Sequence, residues 1–407
     1  MSTTGDRRHG AGAGEGPATP SGDRRPRVLM VLKRPHGLRG MQQQALRLAA
    51  SLRDEGVSVR VIGHSHRSSR EPGAWDASIP IDFVVSPSAV GFMAGLHRYL
   101  LKHRDQYDLV HVHGLGDELM VVLVASRVTG KPVCVKPSTA GPGTKLDRIA
   151  ELAERLPPSQ RVWRRISAWL AISEQTRRDI LRLGVDPARV HFIPNGVDTA
   201  LWSAPAADDR RRLRTEFGLS DADRVFCTAS QLTPRKKVDV LIRSFLAIAA
   251  ERPNLHLWVI GTGDQYAELQ RLALSHPAGN RVWLPGRLRP PEVLARFQTA
   301  DAFALLSTYE GLPNALLEAM SCGMPAVVTG VSGMEDVVEP GVSGLQVPID
   351  DVEATSAALL RLAEDDPMRQ ALGAAAARKM RESYGMTDIR GRVARLYRDL
   401  LPADRRR

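Results

Sequence analysis

Cysteine is scarce: Cys134, Cys227 and Cys322 are the only three among 407 residues, and no two form a C-x-x-C pair. Their separation excludes a disulfide framework and a paired-cysteine zinc knot. Each reads as a small apolar residue in or beside a strand. Long apolar runs are missing too, since none approaches the roughly 20 residues that cross a bilayer. The arginine-bearing N-terminus lacks the hydrophobic segment of a signal peptide, so the expected location is cytoplasmic. No G-x-G-x-x-G occurs either. The loop Pro35-His36-Gly37-Leu38-Arg39-Gly40 has its glycines split, and no acidic residue closes the following strand, which argues against a nicotinamide cofactor. Despite a net charge of +11, no helix-turn-helix, zinc-finger or RNA-recognition wording surrounds the basic clusters, so no nucleic-acid partner is expected.

What is present is ordinary soluble composition, 43% apolar and 25% charged, in a chain long enough for two domains. Residues 1–26 are rich in Gly, Ser, Thr, Pro and Arg and should be disordered. Strand 28–32, a loop, helix 41–55 ended by Gly56, and strand 57–62 open a doubly wound parallel sheet. Further strands are expected at 109–113, 132–136 and 169–172, making 27–202 a first Rossmann-like domain. Residues 203–224 read as a polar linker with a short helix. A second round follows over 225–385, with strands at 225–230, 255–260, 282–284, 302–306 and 326–328, and helices starting near Val238, Asp264, Pro291 and Pro313. Residues 386–407 form a closing helix and basic tail. Two units of similar size imply a ligand cleft between them.

The most informative stretch is Tyr309-Glu310-Gly311-Leu312-Pro313-Asn314-Ala315-Leu316-Leu317-Glu318-Ala319-Met320. It follows a short apolar run that reads as a buried parallel strand. Pro313 sits where a helix can begin, because its missing N–H is an orphan donor there anyway. Glu310 therefore lies at the strand's carboxyl end and Glu318 about two turns into the helix. Between them, free backbone N–H groups and a positive helix end suit a phosphate. Gly261-Thr262-Gly263 and Gly286-Arg287-Leu288, each after a strand, leave backbone room for a flat base or phosphate. In strand 109–113, alternation puts His111 and His113 on one face. No matching Cys or carboxylate cluster accompanies them, so no metal is expected. Asp221-Ala222-Asp223 sits in the linker and reads as a turn or cap.

The Glu310/Glu318 spacing with Gly-Leu-Pro between resembles the E-x7-E signature of retaining glycosyltransferases of family 4, which have the two-domain GT-B fold. The resemblance covers about residues 27–400. It implies two Rossmann-like domains facing across a cleft, with the C-terminal helix packing back on the first. Its implied activity is transfer from a nucleoside-diphosphate sugar, with no metal and no cofactor, to an unidentified hydroxyl acceptor. Glu310 then contacts the donor sugar and Glu318 the ribose. Gly311, Leu312, Pro313, Asn314 and Ala315 line the donor, as do Gly261, Gly263, Arg287 and Leu288. Ser230-Gln231-Leu232-Thr233-Pro234-Arg235-Lys236-Lys237 matches the family's phosphate-neutralising loop at Lys236, but Gln231 stands at its usual Arg. Gln supplies no charge and no bidentate fork, so Arg235 or Lys237 is expected to substitute, with Lys237 nearer the phosphate. The D-x-x-H-x-H wording carries a place near the donor sugar to His113, leaving His111 as a structural histidine satisfied within the sheet. Gly37, Gly40, Lys136, Ser138 and Thr139 are acceptor-side candidates. The tract Arg161-Val162-Trp163-Arg164-Arg165-Ile166-Ser167-Ala168-Trp169 allows weak peripheral contact with an anionic membrane, although Trp169 also reads as core. Rival readings are a non-catalytic anion- or nucleotide-sugar-binding module, favoured by Gln231, and a GT-B-fold sugar-nucleotide epimerase.

Overall fold

The structure, a computed structural model, describes residues 25–33, 40–65 and 79–402. The expected disorder of the N-terminal head, the candidate Gly37 and the terminal arginines lie outside the described residues. Two all-parallel sheets form the frame. The first has strands β1 (Arg27–Leu32), β2 (Ser58–Ser65), β3 (Ile81–Val85), β4 (Leu109–His113), β5 (Val133–Lys136), β6 (Ala168–Ala171) and β7 (Val190–Phe192), in the order β3-β2-β1-β4-β5-β6-β7. The second has β8 (Arg224–Ala229), β9 (Leu255–Ile260), β10 (Val282–Gly286), β11 (Ala302–Leu305), β12 (Ala326–Thr329) and β13 (Gly344–Val347), in the order β10-β9-β8-β11-β12-β13.

Central strands such as β4 and β11 are buried along their whole length. That fits their near-continuous apolar sequence, since helices cover both faces of a parallel sheet. β3 and β13 were not expected from the sequence. Both are edge strands, and β3 is partly exposed throughout, with a charged Asp82 as its second residue. Such a strand carries neither a long apolar run nor a clean alternation. In each sheet the winding reverses once, between β1 and β4 and between β8 and β11. Ligands of open α/β sheets bind at the carboxyl ends of strands beside such a reversal.

The chain crosses between the domains twice at one place. Val197 N–H donates to Tyr384 O and Met386 N–H donates to Val197 O, both at 2.8 Å. Beyond the second crossing the helix Met386–Leu400 returns to the first sheet. Its Ile389, Val393, Ala394, Leu396 and Tyr397 pack into the same cluster as Val28, Met30, Leu48 and Leu52. That helix therefore completes the core of a domain whose last strand ends nearly two hundred residues earlier.

Candidate active site

At the second reversal, β8 runs into the loop carrying Gln231 and Lys236, and β11 into the loop carrying Glu310. Glycine fixes how closely the loop after β9 approaches the loop after β8. A Cβ on Gly261 would lie 1.9 Å from Ser230 O, and one on Gly263 2.1 Å from Leu232 O. The loops after β8 and β11 are tied by charge. Lys236 Nζ donates to Glu310 Oε1, Ser307 Oγ donates to the same oxygen at 2.8 Å, and Arg235 Nη1 lies 3.0 Å from it. Arg235 is held by a further hydrogen bond to Tyr309 O at 2.7 Å and stacks over the Tyr309 ring. Lys236 and Glu310 are 9% and 6% exposed, so the cluster is desolvated. Burial pushes the Glu310 carboxyl up, but Lys236 and Arg235 outweigh this and hold it below its usual range. The Lys236 ammonium is lowered by burial and by Arg235, against the pull of Glu310.

Lys237 does not face this cluster. It adopts φ +48°, and its Nζ binds Asp350 at 2.8 Å. The left-handed turn that starts the helix Val238–Ala249 swings the side chain away, which corrects the expectation that Lys237 lies nearer the phosphate. Arg235 is the cation that joins Lys236. Gln231 is exposed.

Pro313 is the N-cap of helix Asn314–Ser321, with extended backbone, instead of its first residue. The preceding turn is pressed against the first domain. A Cβ on Gly311 would stand 2.1 Å from Ser138 O, so only glycine fits there. Asn195 Nδ2 donates to Leu312 O at 2.9 Å and to Asn314 Oδ1 at 3.1 Å, while Asn314 Nδ2 donates to Gly40 O at 2.8 Å. Glu318, buried, forms an ion pair with Arg47 of the first domain's helix Gly40–Ser51. Burial raises its carboxyl despite Arg47. Sequence reasoning missed Arg47, whose only local signal is a charge on the polar side of an amphipathic helix. Leu288 is partly buried against the hydrophobic cluster of the second domain and Arg287 is exposed beside it, outside these contacts.

Opposite lies the carboxyl edge of the first sheet. His113 ends β4, is 3% exposed, and has no partner for Nε2 among the described residues. Burial, then His111 and Lys136, hold its pKa well below the usual histidine value. His111 stacks on it with ring centroids 4.1 Å apart. Its Nδ1 meets Tyr397 Oη at 2.5 Å, and burial pushes it down to about 3. Its partner is therefore the returning helix and not the sheet, a correction that local sequence could not supply. Lys136, beside His113 in the β4–β5 register, is buried, its Nζ has no partner among the described residues, and burial lowers it to about 8. Ser138 and Thr139 border the cleft with Glu118, another residue that the sequence did not single out. Among the described residues, no group of three or more His, Cys, Asp or Glu could hold a metal ion, and no helix is long and apolar enough to cross a membrane. Asp223 accepts from Ser220 N–H and Oγ–H in a turn. Trp169 is core, and Trp163, partly buried, tilts toward it at 6.4 Å, so the two indoles do not form a surface pair.

Comparison with known proteins identifies the family. Residues 39–196 match the family described as glycosyl transferase 4-like domain, and residues 209–379 match glycosyl transferases group 1. The GDP-mannose-dependent monoacylated alpha-(1-6)-phosphatidylinositol monomannoside mannosyltransferase of Corynebacterium glutamicum is 32% identical over 54% of this chain and 58% of its own length. This chain thus matches little more than half of that relative. The phosphatidyl-myo-inositol mannosyltransferase of Mycolicibacterium smegmatis is 26% identical over 88% of this chain and 89% of its own. Among solved structures, Anabaena HepE in complex with UDP and glucose superposes with a TM-score of 0.75, at 19% identity, covering 91% of this chain and 99% of that one. With both halves matched and the two-sheet architecture shared, the chain belongs to the group 1 glycosyltransferases of GT-B fold.

Proposed function

We propose that this chain transfers a sugar from a nucleoside-diphosphate sugar to an acceptor hydroxyl, with retention at the anomeric carbon and without a metal or other cofactor. The observation that carries the reading is the desolvated Lys236–Glu310–Arg235 cluster at the reversal of the second sheet. As the bond from anomeric carbon to phosphate oxygen breaks, the ring gains positive charge and the diphosphate negative charge. Lys236 and Arg235 meet the diphosphate, while Glu310 orients the sugar hydroxyls. Glu318 takes the ribose hydroxyls, exchanging part of its contact with Arg47. The acceptor oxygen attacks from the face that the phosphate leaves, and its proton passes to a departing phosphate oxygen. Fixed charges of this kind act strongly because they need no reorganisation as the reaction proceeds.

The test is hydrolysis or transfer with UDP-, GDP- and ADP-sugars in excess EDTA, with the product anomer read by NMR. Lys236→Ala is expected to lower turnover by about 10²–10³-fold, whereas Glu318→Ala weakens donor binding. Inversion of the anomer or dependence on added Mn²⁺ refutes the mechanism. Donor binding with no turnover on any sugar leaves the non-catalytic module, the reading that Gln231 favours.

A further inference from the structure

On the first-domain wall of the cleft, the ends of β1 and β4 and the start of helix Asp117–Thr129 enclose a cavity of about 390 Å³. Three atoms among its lining residues lack hydrogen-bond partners among the described residues, Gln42 Oε1, His113 Nε2 and Glu118 Oε2. All three residues are almost wholly buried. Glu118 fits because Gly116 has no side chain: a Cβ there would lie 2.0 Å from Glu118 Oε1. Burial raises the Glu118 carboxyl above its usual range. Two more lining residues are Lys33 and Lys145, with half-exposed side chains, and each Nζ is 3.8 Å from a carboxylate oxygen of the exposed Asp117. Those separations exceed a charge-assisted hydrogen bond, so both ammonium groups retain donors for a ligand.

The buried and exposed linings recognise different chemistry. A buried carboxyl oxygen and an imidazole nitrogen with unused capacity suit hydroxyl groups, and a buried carboxylate repels an anion. Two half-exposed ammonium groups attract an anion and repel a cation. A ligand satisfying both parts is rich in hydroxyls at one end and anionic at the other.

We propose that the acceptor is a phosphorylated polyol that enters hydroxyl-first, its hydroxyls on Glu118 and His113 and its phosphate on Lys33 and Lys145. This deepens the reading of the cleft as a site of glycosyl transfer and rests on it. Glu118 and the two lysines become specificity-determining residues for the acceptor. A free phosphate monoester and the diester of a lipid headgroup present the same chemistry, and the test separates them.

Binding to the full-length chain is measured calorimetrically for glycerol 3-phosphate, inositol 3-phosphate, glycerol, inositol and inorganic phosphate. Co-sedimentation is measured with phosphatidylinositol vesicles against phosphatidylcholine vesicles. At least one phosphate ester, free or in vesicles, is expected to bind about tenfold or more tightly than its unphosphorylated counterpart, because charge-assisted contacts are involved. The double variant Lys33→Ala/Lys145→Ala removes that preference. Glu118→Ala brings the ester down to the affinity of inorganic phosphate, with thermal unfolding and nucleotide binding as controls for folding. Preference for the free ester assigns a soluble acceptor, and preference for the vesicle a lipid headgroup. Absence of any preference in the wild type, or its survival in the double variant, overturns the proposal. Normal nucleotide-sugar binding in that case leaves the transferase reading intact, whereas loss of nucleotide-sugar binding by the wild type removes both.

Discussion

The two walls of the cleft handle buried charge in opposite ways. In the second domain, Lys236, Arg235 and Ser307 converge on one carboxylate oxygen of Glu310. In the first, His113 Nε2, Lys136 Nζ and Glu118 Oε2 are buried without partners among the described residues. Paired charges form a rigid unit whose geometry is set before any ligand arrives. Unpartnered buried groups cost stability until something satisfies them. The wall of the second domain is thus preorganised, while that of the first holds binding capacity in reserve.

The largest effect expected from breaking this contrast comes from Glu310→Ala. It leaves two cations close together in a desolvated corner, and removing one member of a buried pair costs about 3–5 kcal/mol. Chemical denaturation reads this as a shifted midpoint. A loss under about 1 kcal/mol would mean that water already solvates the cluster.

Lys136 tests the other wall. Burial lowers its ammonium from the ordinary 10.5 to about 8. Between those pH values the unfolded chain holds more protons than the folded one, so stability rises with pH through that window. Below it both states are protonated and the whole penalty is present, on the order of 3 kcal/mol. Lys136→Met is therefore expected to stabilise the chain by about that amount at pH 7, with the gain fading toward pH 10.5. Parallel stability profiles for variant and wild type would show that the charge is compensated after all.

A smaller effect separates two neighbouring cations. Arg235→Ala is expected to lower turnover about tenfold, the worth of one charge-assisted contact. Lys237→Ala, which touches Asp350 and not Glu310, leaves turnover near wild type. Equal losses would place both cations on the phosphate. Gln231→Arg retains activity, since the side chain is exposed and there is room for a guanidinium.

How legible this was depends on how local each feature is. Strand β9 (Leu255–Ile260) falls where its apolar run predicts, and the loop–helix unit of Glu310 and Glu318 is readable because strand, turn and helix are contiguous. The helix after Gly263 starts at Tyr266, two residues later than the expected Asp264, because Gly263 and Gln265 still belong to the turn against Leu232. Arg47 and Glu318 are 271 residues apart, and no periodicity relates them. Glu118 reads locally as an acidic residue suited to a helix N-terminus, and only the fold shows that it lines a cavity with a buried oxygen that has no partner among the described residues. Lys237 misleads for a backbone reason: its left-handed φ reverses the direction that proximity to Lys236 suggests.

The returning helix has a consequence for how the protein is made. Tyr397 reaches His111 across 286 residues of sequence, and the core around Leu48 and Leu52 is closed by Val393, Ala394 and Tyr397. During synthesis the second domain has all its strands while the first still exposes an apolar groove on its sheet. Domains emerging from the ribosome usually fold in order from the N-terminus. Here the domain begun first is finished last, so a nascent chain stalled before Met386 presents that groove to chaperones with its β4 histidine still lacking the Tyr397 hydroxyl.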